Sequence, residues 1–181
     1  FFVFGMPFFV GGIISELGLS QSQANLVSSA EIAGMALSSM LGFFWIQKYK
    51  WKTIAYFGIA VIILGNLISS IGFSEEPSFS LLVVVRFLTG LFGHGVCFSL
   101  GVAAIGRTNN PDKNFAYSVA AQVIMGSLTA LLVPMAMAKY GISGMTIPAV
   151  FLALIGLFFV KHLYANNSLE TNDDQIKDGS K

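Results

Sequence analysis

The sequence has little charge and almost no cysteine. Of its 181 residues only 10% are charged and 55% are hydrophobic, whereas a water-soluble domain carries about a quarter charged residues. Cys97 is the single cysteine, which excludes an intramolecular disulfide and a cysteine metal cluster. The formal net charge is +1, and no basic run with interleaved aromatic residues is present, so nucleic acid is not an expected partner.

Motifs of intramembrane enzymes and of channels are also missing. The predicted spans contain no aspartate, which excludes an aspartyl protease of the membrane, and neither H-E-x-x-H nor G-x-S-x-G occurs. A channel would need a pore loop or rings of like charge, and neither is visible. We therefore expect no enzymatic activity, no cofactor and no metal site.

What the sequence does contain is a series of long apolar segments. Its mean hydropathy is +0.74, and several segments reach the roughly 20 residues that a helix needs to cross about 30 Å of hydrocarbon. The predicted spans cover residues 1–15, 24–46, 53–72, 79–105, 115–138 and 145–164. The first is too short to cross and is interpreted as the outer part of a truncated span. The fold class is therefore all-α, a polytopic transmembrane bundle of six helices over residues 1–164.

Lysine and arginine residues in the loops predict the orientation of the bundle. One side carries Lys48, Lys50, Lys52, Arg107, Lys113 and Lys161, whereas the opposite side carries only Lys139. Short loops with such an excess are cytoplasmic. Residues 165–181 are polar and rich in Asn, Asp and Ser, so we expect a disordered cytoplasmic linker or tail. The predicted location is the plasma or inner membrane, with multiple passes and the tail in the cytoplasm.

Three ionisable residues, Glu31, Arg86 and His94, lie well inside predicted spans. A charged residue there costs about 2.5–3.5 kcal/mol on insertion scales, and it usually faces the bundle interior or a water-filled cavity. Glu31 and Arg86 lie at the same depth, about 10 Å below the outer surface, so they can pair if their helices are neighbours. His94 could carry protons near neutral pH or be a hydrogen-bonded interface residue. Gln122 and Asn66 could orient a ligand or bond across helices.

Small residues form a second pattern, in the fourth span. Arg86, Gly90, His94, Cys97 and Gly101 recur at helical spacing and define one face. The second span has a comparable face that ends at Gly42. Small residues allow membrane helices to approach closely. The pattern fits helix packing with Arg86 and Glu31 as structural links, and it fits a substrate or proton pathway.

Two segments resemble signatures of the major facilitator superfamily. Residues 86–95, RFLTGLFGHG, are similar to its fourth-helix signature, an arginine followed at four residues by glycine and further small residues. Gly42 and the following FFWIQKYKWK resemble its loop between helices two and three, where a basic cluster follows a glycine. Ile46 stands where the family usually has an aspartate, so a gating role of that aspartate is not transferred to this chain.

The resemblance covers essentially the whole chain, as the N-terminal six-helix half of a twelve-helix transporter. It implies secondary active transport of a small solute by alternating access, around a site near the bilayer midplane, with proton coupling as an option. The candidate pathway residues are Arg86, Glu31, His94 and Gln122, and the basic loop cluster consists of Lys48, Lys50 and Lys52. The implied partners are a small solute, protons, membrane lipid and the missing C-terminal half of the same chain. The alternative is a non-transporting membrane scaffold or a receptor-like six-helix protein.

Overall fold

The chain forms a bundle of helices in a computed structural model that describes residues 2–71 and 78–163. The helices are α1 (Phe2–Leu17), α2 (Gln21–Trp45), α3 (Trp51–Ile71), α4 (Phe79–Gly106), α5 (Pro111–Tyr140) and α6 (Ser143–Val160). Helices α2 to α6 are each long and apolar enough to cross a membrane, and α1 is a shorter apolar helix. The described ranges contain no strand. The predicted all-α transmembrane bundle is thus confirmed, while the predicted tail at 165–181 lies outside the described residues.

Local sequence signals set several of the helix ends. Before α2, the Ser20 side chain accepts a hydrogen bond from the Gln23 backbone, and the Gln23 side chain accepts one from the Ser20 backbone at 2.9 Å. This reciprocal capping box satisfies two donors at the start of the helix. Helix α5 begins with Pro111 in its first turn, where a proline costs least. It stops at Gly141, whose φ of 59° favours glycine.

Helix packing places α4 at the centre of the bundle. Helix α2 lies along α4, and α3 packs between α4 and α6, while α1 contacts α2 and α5. The buried residues of α2 recur at helical spacing and are Ala24, Val27, Ser28, Glu31, Gly34, Ser38 and Gly42. The buried face of α2 therefore includes the small-residue stripe and the one carboxylate that the sequence places within this span.

The outer surface of the bundle is strongly apolar. Large side chains such as Phe43, Leu131, Met135 and Phe151 each expose more than 60% of their area. Only Gly126, Thr129 and Val133 are buried in α5. A surface of this kind suits contact with lipid or with other protein rather than with water.

Helix α4 changes its winding in the middle. Residues Thr89–His94 form a π-helical turn, in which the Gly95 N–H donates to the carbonyl of Gly90, five residues earlier. Such a turn adds one residue to the helix and rotates everything after it by about 100°.

The π-helical turn places Gly101 outside the face of α4 that packs on the other described helices, so its packing role stays a prediction. That prediction assumed an unbroken α-helical repeat from Arg86 onward. After the turn, the buried residues are Gly95, Val96, Ser99 and Leu100. Gly101 is exposed, and a Cβ placed there would meet nothing within 4 Å in the described part of the chain.

The other two glycines of the predicted packing face do lie between helices. A Cβ at Gly42 would lie 3.5 Å from the Cβ of Ser99, so the end of α2 packs on the second half of α4. A Cβ at Gly90 would overlap the backbone carbonyl of Glu31. Glycine at these two positions lets the helices approach closely.

Candidate functional site

The Glu31 and Arg86 side chains form an ion pair between α2 and α4. The Nε and Nη2 atoms of Arg86 lie 2.8 Å and 2.5 Å from Oε2 of Glu31. Both side chains are fully buried. The structure thus brings together the two charges that the sequence places at equal depth. Both guanidinium donors bind the same carboxylate oxygen, so Oε1 of Glu31 remains for another partner.

His94 faces this second carboxylate oxygen. Its Nδ1 atom lies 2.8 Å from Oε1 of Glu31, and 16% of its side chain is exposed. Glu31 is therefore hydrogen-bonded to the guanidinium through one oxygen, and the imidazole lies next to its other oxygen. Of the three residues, only His94 reaches the surface of the bundle.

The π-helical turn explains how one helix supplies both partners of Glu31. Arg86 and His94 are eight residues apart, which in a regular helix leaves their side chains about 80° apart around the axis. The one extra residue of the turn rotates His94 back by about 100°. The two side chains therefore point to nearly the same side of α4.

Helix α3 holds the remaining edge of the guanidinium. Nη1 of Arg86 donates to Oδ1 of Asn66 at 3.4 Å and to Oγ of Ser69 at 3.3 Å. Each of these residues donates its own proton to its own helix, Asn66 to the carbonyl of Ile62 and Ser69 to that of Gly65. Their oxygens are thereby turned toward Arg86. Both side chains are buried, so their contacts with the guanidinium are protected from water.

Helix α1 completes the surroundings of Arg86 with an aromatic ring. The guanidinium carbon lies 5.0 Å from the centre of the Phe9 ring, within the range of a cation–π interaction. Phe9 is 1% exposed. Four helices thus contribute to the site, and Ser69 and Phe9 are the members that sequence reasoning missed. Serine and phenylalanine are too common in apolar spans for either to stand out.

Close backbone contact between α2 and α4 keeps the charged groups in register. A Cβ at Gly34 would overlap the backbone oxygen of Phe87, and one at Gly90 would overlap that of Glu31. Because the two backbones touch directly beside the ion pair, neither helix can slide without separating the charges.

A comparison with known protein families decides the identity of this bundle. The family model of the Major Facilitator Superfamily matches residues 1–178. The chain belongs to the Major Facilitator Superfamily. No curated protein and no solved structure matches it significantly.

Members of the Major Facilitator Superfamily are membrane transporters that bind small solutes. Together with the apolar helices of membrane-spanning length, the match identifies the chain as an integral membrane protein of a transporter family. Among the described residues, no group of three or more His, Cys, Asp or Glu side chains could hold a metal ion.

In this superfamily member, Gln122 lies away from the charged site. Its side chain is exposed on α5, and its Nε2 donates to Oγ of Ser118 on the same helix at 3.3 Å. The structure therefore does not bring Gln122 together with Arg86, Glu31 and His94. Its candidate role in the pathway stays a prediction.

The basic cluster Lys48, Lys50 and Lys52 is exposed at the loop between α2 and α3. Trp51 anchors this loop, because it is buried and its Nε1 donates to the Ile46 carbonyl at 2.7 Å. The Arg107 guanidinium lies 4.4 Å from the centre of the Trp51 ring. The loop that lacks the family's aspartate is thus tied to the end of α4 by an aromatic ring and a cation.

Proposed function

We propose that this chain is the N-terminal half of a secondary active transporter and that protonation of the His94–Glu31 pair couples proton movement to solute movement. The observation that carries the proposal is the arrangement around Glu31. Arg86 occupies one carboxylate oxygen, and the imidazole of His94 lies 2.8 Å from the other.

The proposal places the coupling proton at the close contact between His94 and Glu31, where Nδ1 of His94 lies 2.8 Å from Oε1 of Glu31. A carboxylate and an imidazole are both groups that can take up and release protons. In the proposed cycle, the imidazole of His94 takes up and releases a proton while Arg86 stays paired with Glu31. The proposal assigns the exchange of protons with the surroundings to His94, because it is the partly exposed member of the three.

The charge balance of the site links this proton to conformation. With neutral His94, the charges of Arg86 and Glu31 cancel, which suits a site that is closed to water. One more proton leaves a net charge of +1 among buried groups, which low-dielectric surroundings disfavour. Proton uptake therefore favours a state in which water or an anionic group of the solute reaches the site. Asn66 and Ser69 support the cycle by holding Arg86 in place.

The solute is proposed to bind between this half and the missing C-terminal half of the same chain, and the halves rock around it by alternating access. The lysine-rich end of the bundle is proposed to face the cytoplasm, because it carries the excess of basic residues. This orientation is proposed for a plasma or inner membrane.

Transport assays on the full-length protein in proteoliposomes test the proposal. With an imposed pH gradient and a panel of small solutes, the wild type should accumulate at least one solute. Glu31→Gln should abolish accumulation and retain exchange of that solute across the membrane, because exchange needs no net proton movement. Ser127→Ala is the matched control, since Ser127 is exposed and bonds only to its own helix in the described structure.

Two outcomes would contradict parts of this proposal. Normal accumulation by Glu31→Gln would remove Glu31 from the coupling step. Failure of the wild type to move any solute, with or without a gradient, would favour the non-transporting scaffold.

A further inference from the structure

An open apolar groove lies between α2 and α3 near the lysine-rich end of the bundle. The two helices diverge from their connecting loop, and α4 forms the floor between them. The groove has a volume of about 440 Å³. Its walls include Leu41 and Trp45 of α2, Phe57 of α3 and Phe92 of α4. The last two rings meet edge to face, with centres 6.3 Å apart.

The rim of the groove combines aromatic and basic residues. Trp45 and Tyr49 line its end, and Tyr49 lies between Lys48 and Lys50 in the loop. Both lysines and Lys52 are exposed. Tryptophan and tyrosine favour the level of lipid head groups, and basic residues at a membrane surface attract anionic lipids.

We propose that this groove binds one anionic phospholipid, with an acyl chain along the apolar walls and the head-group phosphate on the loop lysines. A site for a polar solute would need several convergent polar groups, whereas Ser38 and Tyr49 are the main polar residues of the lining. The site is separate from the Glu31 cluster, so it does not depend on the proposed transport function.

Charge complementarity favours a lipid over the other possible occupants. A second copy of the chain, placed symmetrically on this face, would bring two lysine-rich loops together and repel. Residues 165–181 of the same chain are polar and offer no apolar run to fill the groove. A phospholipid supplies both the apolar chain and the negative charge.

A second groove between α5 and α6 provides a matched control. Its volume is about 300 Å³, and its lining includes Leu128 and Phe151. Leu128 is 45% exposed and Leu41 is 43% exposed, so the two leucines are equivalent wall residues. This groove lies in the half of the bundle away from the lysine cluster, near the α5–α6 connection.

The test is native mass spectrometry of the full-length protein in mild detergent, titrated with phosphatidylglycerol or with phosphatidylcholine of the same acyl chains. We expect one phosphatidylglycerol to be retained in preference to phosphatidylcholine. Leu41→Trp should eliminate this tightly bound lipid by filling the groove, whereas Leu128→Trp should not. Replacing Lys48, Lys50 and Lys52 together with glutamine should lower the preference for phosphatidylglycerol, by up to about fivefold for each lysine.

Four results would overturn the proposal. Three of them are equal retention of the two lipids, equal effects of the two tryptophan variants, and an unchanged preference in the glutamine variant. The fourth is a wild-type dimer that Leu41→Trp abolishes, because the groove would then bind a second copy of the chain. If Leu41→Trp does not assemble, Phe57→Ala replaces it. That variant opens the wall of the groove and should weaken retention, whereas Phe151→Ala in the second groove should leave it unchanged.

Discussion

The α2–α4 and α1–α5 interfaces occupy corresponding places in the bundle, and they are built differently. Six-helix halves in this superfamily consist of two inverted three-helix repeats, so α2 on α4 corresponds to α5 on α1. In the first pair, the glycines meet the backbone of the partner helix, and the buried groups include Glu31 and Arg86. In the second, Gly126 meets the ring of Phe4, and the buried polar group is Thr129.

The polar groups of the two interfaces differ in whether they need a partner from another helix. Thr129 donates to the carbonyl of Met125 in its own helix at 2.7 Å, so it leaves no polar group that requires a partner. Arg86 and Glu31 instead depend on residues from other helices. The α2–α4 interface therefore cannot separate without exposing charge to an apolar environment, and the α1–α5 interface can.

The largest expected effect is the loss of one charge of the pair. Arg86→Ala should destabilise the protein by about 3–5 kcal/mol, because it leaves the Glu31 carboxylate buried without its partner. Thr129→Val at the corresponding interface should cost about 1 kcal/mol or less. The measurement is the free energy of unfolding in micelles, for the two single variants and for Arg86→Ala combined with Glu31→Ala. Additive effects of the two charge removals would show that the pair does not act as a unit.

A smaller difference is expected from added methyl groups. Gly90→Ala should destabilise by about 1–3 kcal/mol, because its Cβ would overlap the backbone oxygen of Glu31, which cannot move alone. Gly126→Ala meets the ring of Phe4, which can rotate, so we expect a cost below about 1 kcal/mol. Thermal unfolding of both variants compares them. A similar loss for the two would mean that backbone contact does not distinguish the interfaces.

The smallest expected effect comes from a supporting hydrogen bond. Ser69→Ala removes one acceptor of Arg86 and should cost about 0.6–1.7 kcal/mol, the range measured for hydrogen bonds between membrane helices. Ser127→Ala should stay within about 0.5 kcal/mol of the wild type, since Ser127 is exposed. Chemical unfolding in micelles measures both. A Ser69 variant as stable as the Ser127 variant would show that Asn66 alone suffices to hold Arg86.

Much of the bundle could be predicted from the sequence because long apolar runs leave few choices. The predicted bounds of α2 to α6 lie within about four residues of the observed helices. The contact between Arg86 and Glu31 was predicted from their equal depth on the condition that their helices are neighbours, and the packing of α2 along α4 meets that condition. The exposed position of Gly101 could not be predicted, because no simple pattern in the sequence marks the π-helical turn. Ser69 was missed because its hydroxyl matters only where α3 crosses Arg86.

The π-helical turn Thr89–His94 sets how the second half of α4 is rotated about the helix axis relative to the first half. The helix before the turn aims Arg86 at α2, and the helix after it aims Gly95 and Ser99 at the same neighbour. If the same residues were wound as a regular α-helix without this turn, the second half of α4 would be rotated by about 100° relative to the first. The rotational phase of the second half is therefore set by the single extra residue of the turn.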